Sequence, residues 1–172
     1  MVNRGQGAMG NGQRIRIFGF LEEVKDPEVP ALSIVELGIV RDVEIDHGNV
    51  TVVVTPTYSG CPAMHAIEED IRTALAAKGF PNVRIKTIYA PAWTTEWMTD
   101  AAKEKLRAYG IAPPGHLVQD APIAIMRRRD AVQCPFCGSS DTRHTSEFGS
   151  TSCKALHVCN ACTQPFEEFK AI

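Results

Sequence analysis

The chain contains no apolar run approaching the roughly 20 residues that a membrane-spanning helix requires, so no membrane span is expected. Neither sign of charge is in large excess. The formal net charge is −2, which gives no global attraction to nucleic acid or to an anionic membrane surface. Aromatic residues are sparse at 7% and are not interleaved with basic ones, which argues against an extended nucleic-acid face. The first residues, MVNRGQGAMGNGQ, lack the apolar stretch of a secretion signal. They are rich in Gly, Asn and Gln, and residues 1–13 read as a mobile leader. A cytoplasmic location is therefore expected. Cysteine is absent before position 61, and in a reducing compartment the later pairs point to metal or thiol chemistry rather than disulfides.

The 172 residues are 44% hydrophobic, which suits one ordinary domain with a small appendage. From Arg14 to Lys25, the apolar residues Ile17, Phe20, Leu21 and Val24 share one helical face. The stretch DPEVP (26–30) stops that helix, because each proline disfavours α conformation in the residue before it. SIVELGIV (33–40) reads as a short apolar turn ending at Gly38. Val43 and Ile45 alternate with acids, and Val50, Val52 and Val54 continue the alternation beyond His47-Gly48-Asn49, which predicts a β-hairpin. Ile67, Ile71 and Leu75 then mark a helix over Pro62 to Lys78, with Gly79 as its stop. VRIKTIYA (83–90) supplies a third strand, and the intervening helix is suited to cross from one strand to a neighbour. A further helix is predicted over Thr95 to Tyr109, closed by Gly110 and Pro113-Pro114. The expected organisation is α/β: a domain over 14–110, a connecting segment over 111–132, and a small domain over 133–172.

The small domain carries the most specific signal. Cys134-Pro-Phe-Cys137 and Cys159-Asn-Ala-Cys162 are two CxxC pairs about twenty residues apart. Each pair wraps two thiolates around one metal, and strands over Thr142–Phe148 and Lys154–Val158 form the hairpin that joins them. The expectation is a zinc ribbon with metal ligands Cys134, Cys137, Cys159 and Cys162. So small a segment has too little core to fold unaided, so the metal supplies folding free energy. The same four thiolates also suit an iron–sulfur cluster. Cys153 lies six residues before Cys159, roughly 20 Å along a regular strand, which is too far to share one metal with it. It reads either as a buried hairpin residue or as a functional thiol near a flexible tip.

Cys61 stands apart, between a β-like run and a helix-like run. With Pro62 as the first helical residue, Cys61 occupies the N-cap, where unpaired N–H groups and the helix dipole lower a thiol's pKa. The alternative is a small buried cysteine that merely caps. Asp26 and Glu28 form the other polar cluster. Asp26 either caps the following turn or joins Glu28 near Cys61 to hold a metal. His65, a full helical turn beyond Cys61, is the candidate base if Cys61 is instead an enzyme's nucleophile. The triplet Arg127–Arg129 is the sole local basic signal for nucleic acid. Trp93 and Trp97 read as core, or as anchors of an interface.

DPEVPALSIVELGIVRDVEI followed by VTPTYSGCPAM resembles the SufT-like (DUF59) family of iron–sulfur assembly factors, over about residues 14 to 90. YAPAWTTEWMTDAAKEKLRAYGIAPP, CPFCGS and FGSTSCKALHVCNAC extend the resemblance to the PaaD branch of that family. Proteins of that branch accompany the bacterial phenylacetyl-CoA epoxidase (phenylacetate-CoA oxygenase). The resemblance implies a SufT-like α/β domain with mixed sheet and helices, followed by a zinc-ribbon domain. It implies an accessory role in aerobic phenylacetate degradation, with no catalytic activity of its own. The expected partners are the oxygenase, which is di-iron, the flavin and iron–sulfur reductase, and the iron–sulfur assembly machinery. The family's reactive cysteine falls on Cys61 and its acidic turn on Asp26 and Glu28. Expected cofactors are structural Zn2+ and a transiently held iron or iron–sulfur cluster. The alternative is a non-catalytic structural component of the oxygenase.

Overall fold

The structure, a computed structural model, describes residues 6–115 and 132–171. Most of the expected connecting segment, including Arg127–Arg129, lies outside the described residues. The chain divides between Trp93 and Thr94 into two compact units.

The first unit opens with helix α1, Gln6–Leu21. It begins inside the stretch read as a leader and stops before Lys25, because Asp26 to Ser33 fold into a tight loop. Lys25 and Ser33 form an isolated antiparallel bridge there. The Asp26 carboxylate accepts the N–H groups of Glu28 and Val29 at 2.9 and 2.8 Å. The next turn is closed by a reciprocal capping box. The Ser33 N–H donates to the Glu36 carboxylate at 2.9 Å, and the Glu36 N–H donates to the Ser33 hydroxyl at 3.1 Å. The indole N–H of Trp93 donates to the Leu37 carbonyl at 2.9 Å, so this tryptophan is core.

Strands β1 (Val40–Asp46) and β2 (Asn49–Val54) form the predicted hairpin. Its two-residue turn places His47 at φ 46° and Gly48 at φ 83°, as the twist of a tight hairpin demands. Helix α2 (Ala63–Ala77) then crosses to β3 (Val83–Thr87), which pairs in parallel with β2, giving the order β1-β2-β3. Val50, Val52 and Val54 are buried, as are Ile17 and Leu21 of α1 and Ile67, Ile71 and Leu75 of α2. Helix α1 packs against both α2 and β1.

In the second unit, the helix expected over Thr95–Tyr109 is broken. A 3-10 turn spans Thr95–Trp97, and helix α3 starts at Asp100 and ends at Tyr109. Met98 is extended at ψ 135°, and Thr99 is the N-cap of α3, its hydroxyl accepting the Ala102 N–H at 3.1 Å. Gly110 closes α3 at φ 92°. A Cβ there would lie 3.2 Å from the Phe136 ring, so both conformation and packing select glycine.

Strand β4 (Ile111–Ala112) follows and pairs in parallel with β7 (Pro165–Phe169), which is joined through β6 (Lys154–Cys159) to β5 (Thr142–Ser146). The sheet order is β4-β7-β6-β5. Residues 111–112 thus form a strand at the start of the expected connecting segment, and α3 falls in the second unit, where it is followed by β4 of that sheet. The ribbon itself carries β7 in addition to the predicted hairpin.

Ile71 is fully buried in the middle of α2. Ile71→Ala is expected to lower the unfolding free energy of the first unit by about 2–5 kcal/mol, measured by denaturant titration, since the methyl groups lost leave a cavity.

Candidate metal and thiol sites

The Cys134–Cys137 knuckle is held by two backbone bonds: Gly138 N–H to Cys134 O at 2.9 Å and Cys134 N–H to Ser139 O at 3.0 Å. The second knuckle follows β6, where the Cys159 N–H donates to the Gln164 carbonyl at 3.0 Å. The hairpin brings the knuckles together. Sγ of Cys134 lies 3.7 Å from Sγ of Cys162, and Sγ of Cys137 lies 3.6 Å from Sγ of Cys159. All four sulfurs fall within 4.8 Å of one another. A tetrahedral ion with Zn–S bonds of about 2.3 Å sets its sulfurs roughly 3.8 Å apart, so the four thiols fit zinc as they stand. Cys134 and Cys159 are buried, Cys162 is half-buried, and Cys137 faces solvent.

The electrostatics agree with that fit. The N–H of Cys162 lowers Cys159 most, burial raises it, and the thiols of Cys162 and Cys137 lower it again, so that it is held down to about 7. Cys137 is pushed up to about 12: the Ser139 N–H lowers it, but Cys162, burial, Cys159 and Cys134 together raise it more. Four crowded sulfurs thus resist complete ionisation until a cation joins them. Among the described residues, no other set of three or more ligand groups converges in this way.

Cys153 lies outside the set and is buried, 3.1 Å from the Thr151 hydroxyl. Of the two readings of Cys153, its burial is that of the hairpin residue. Burial follows from its place at the entry to β6, where its carbonyl accepts the Lys170 N–H at 2.9 Å.

Cys61 is half-buried in the loop between β2 and α2. Its N–H donates to the Tyr58 carbonyl at 3.1 Å, closing the turn Tyr58-Ser59-Gly60-Cys61. The expected N-cap is displaced by one residue: Pro62 holds that position at φ −70°, ψ −21°, with no side-chain cap. The sulfur still accepts an N–H from Ala63 and a hydroxyl from Tyr58. The expected fall in pKa does not follow. Burial raises the thiol most, the Ala63 N–H lowers it, and the charges of Glu28 and Asp26 raise it again, so the balance is upward.

The structure brings Cys61 within electrostatic reach of both Glu28 and Asp26. It also gives Asp26 the capping role, since its carboxylate holds the turn. His65 is exposed and pairs with Glu69 at 3.4 Å along α2. Tyr58 is a site residue that the sequence reading misses, although its position in the same short loop is a usable signal. Thr55, at the end of β2, is also new: its hydroxyl is buried and has no hydrogen-bond partner among the described residues.

Residues 14–87 match the family described as iron–sulfur cluster assembly protein, and residues 119–170 match the PaaD zinc beta ribbon domain. An Escherichia coli protein named as one of the subunits of 1,2-phenylacetyl-CoA epoxidase is 45% identical over 157 residues, covering 91% of this chain and 92% of that protein. The Bacillus subtilis Fe-S protein maturation auxiliary factor YitW is 37% identical over 91 residues, covering 51% of this chain and 86% of its own. Among solved structures, a domain of unknown function DUF59 from Bacillus anthracis superposes with a TM-score of 0.55 at 29% identity, covering 58% of this chain and 95% of that one.

Two outcomes follow from the two sites. Metal analysis of the purified chain is expected to return one zinc per chain without visible absorption, and a chelator should abolish the secondary structure of the second unit, read by circular dichroism. For Cys61, the alkylation rate should keep climbing above the pH at which an ordinary thiol levels off. Glu28→Gln, which removes one opposing charge, should move that midpoint down and speed alkylation near pH 7.

Proposed function

We propose, on the premise that the chain belongs to the PaaD family of 1,2-phenylacetyl-CoA epoxidase components, that it is an accessory protein of aerobic phenylacetate degradation. In this reading it matures the metal centres of the epoxidase complex and performs no step on phenylacetyl-CoA itself. The carrying observation is the half-buried Cys61 thiol under the charges of Glu28 and Asp26, on a domain matched by iron–sulfur cluster assembly proteins.

The chemistry follows from charge. A thiol beside two carboxylates is a poor thiolate while the site is empty of cations. An arriving iron ion, or the iron of a cluster, reverses that balance, because its positive charge favours the ionised sulfur and is itself favoured by the carboxylates. The sulfur then binds while giving up its proton. Once the cargo leaves, the same repulsion favours reprotonation, so the site releases what it holds. Iron is cargo here. The donors of Ala63 and Tyr58 hold the sulfur in place through both states. Half-burial leaves room for exchange with the oxygenase, its reductase or the iron–sulfur assembly machinery.

The four cysteines of the second unit have a different part. Their zinc supplies the folding free energy of a sheet that is otherwise too small, and places the exposed Phe136 of the first knuckle against Gly110.

The test is co-expression of the epoxidase components with the Cys61→Ala chain. The expected result is epoxidase with metal occupancy and activity reduced at least tenfold, while the variant itself keeps its zinc and its thermal stability. Full iron occupancy and full activity in the partners would exclude Cys61 from maturation.

A further inference from the structure

We propose that His144 and His157 form a second, exchangeable site for a divalent transition-metal ion on the ribbon, separate from the four cysteines. The starting point is His157. This residue is 3% exposed, and its Nε2 lies 2.9 Å from Oε2 of Glu168, itself buried. With Nε2 engaged by this carboxylate, Nδ1 is the ring nitrogen left to meet another ligand. That Nδ1 is buried and has no hydrogen-bond partner among the described residues. A histidine with one nitrogen on a carboxylate and the other without a partner among the described residues has the arrangement of a metal ligand, the carboxylate fixing the ring's orientation.

A second imidazole stands opposite. His144 on β5 is the cross-strand partner of His157 on β6. Their ring centroids are 5.2 Å apart and the planes meet at 75°. A tetrahedral ion about 2.0–2.1 Å from one nitrogen of each of two imidazoles holds the ring centroids about 5 Å apart. The observed spacing thus suits two rings sharing an ion. Phe166 stacks on His157 at 5.4 Å and 18°, which fixes the plane of the buried ring. The His144 side chain is 34% exposed, giving an ion a route in from solvent, and Oε1 of Glu147 lies 3.7 Å from its Nε2.

This site is not an extension of the tetrathiolate. His157 precedes Cys159 by two residues, roughly 6.6 Å along a strand, and neither histidine joins the converging sulfurs. Two imidazoles with carboxylate or water suit borderline divalent ions such as Zn2+, Co2+ and Fe2+. With fewer and harder protein ligands than four thiolates, such a site exchanges its ion more readily. The inference does not depend on the maturation role assigned to Cys61.

The test uses the full-length chain with Cys61→Ser, so that the first unit contributes no thiolate, loaded with one equivalent of zinc and titrated with cobalt(II) chloride. The expected result is one further equivalent, with weak visible absorption and no intense sulfur-to-cobalt charge-transfer band. His144→Ala, an exposed position that leaves the buried His157–Glu168 pair intact, should weaken that second equivalent at least tenfold while keeping the zinc. Saturation at the single zinc equivalent would overturn the proposal. So would a second cobalt that binds His144→Ala within tenfold of the parent affinity, since the two rings would then be an edge-to-face pair and nothing more.

Discussion

Among the described residues, groups that repel one another when ionised are held together at the four cysteines and at Cys61 with Asp26 and Glu28, and a bound cation would relieve the repulsion at either place. In the second unit, four sulfurs lie within 4.8 Å. Unoccupied, they cannot all be thiolates, and Cys137 keeps its proton up to about 12. A tetrahedral metal removes that conflict and supplies the folding free energy of the sheet. In the first unit, one sulfur sits under two carboxylates, and burial with their charge raises its pKa. The difference between the two places is ligand number and access. Four sulfurs around one point suit a permanent centre, whereas a single half-buried sulfur with carboxylates nearby is, in the function proposed above, a place where a metal pauses.

The first unit devotes much of its hydrogen bonding to keeping that juxtaposition. Asp26 caps its own turn, Ser33 and Glu36 cap each other, and Trp93 ties down the Leu37 carbonyl. Asp26 also hydrogen-bonds through its N–H to the Leu32 carbonyl at 3.0 Å, so the acidic loop is fixed at both ends of its span. The thiol is brought in from the other side by the end of β2 and the start of α2, whose buried Ile67, Ile71 and Leu75 anchor the helix. The loop and the thiol come from distant parts of the chain, and their meeting depends on this packing rather than on any local motif.

That dependence explains what is legible in the sequence. The i+4 spacing of Ile67, Ile71 and Leu75, the His47-Gly48 turn and the two CxxC knuckles are local signals, and each element they predict is present. The break before α3 is less visible, although Thr99 followed by Asp100 is a start signal of its own. Strand β4 is only two residues long, and β7 carries adjacent acids in PFEEF, so neither has a clean alternating pattern. Their pairing moves α3 into the second unit. The direction of the shift at Cys61 escapes the sequence for a related reason. The helix terminus is local and readable, but burial and the charges of Glu28 and Asp26 act through space, and they decide the direction.

The most direct measurement is anaerobic ferrous ion binding to the zinc-loaded His144→Ala chain, in which the histidine pair of the ribbon does not compete, followed by proton release and by X-ray absorption at the iron edge, in parallel with and without Cys61→Ser. A metal-handling sulfur predicts iron bound with one sulfur among oxygen ligands and release of the thiol proton near neutral pH, both lost in the serine variant. Iron binding that lacks a sulfur ligand, or that is unchanged in Cys61→Ser, would contradict it.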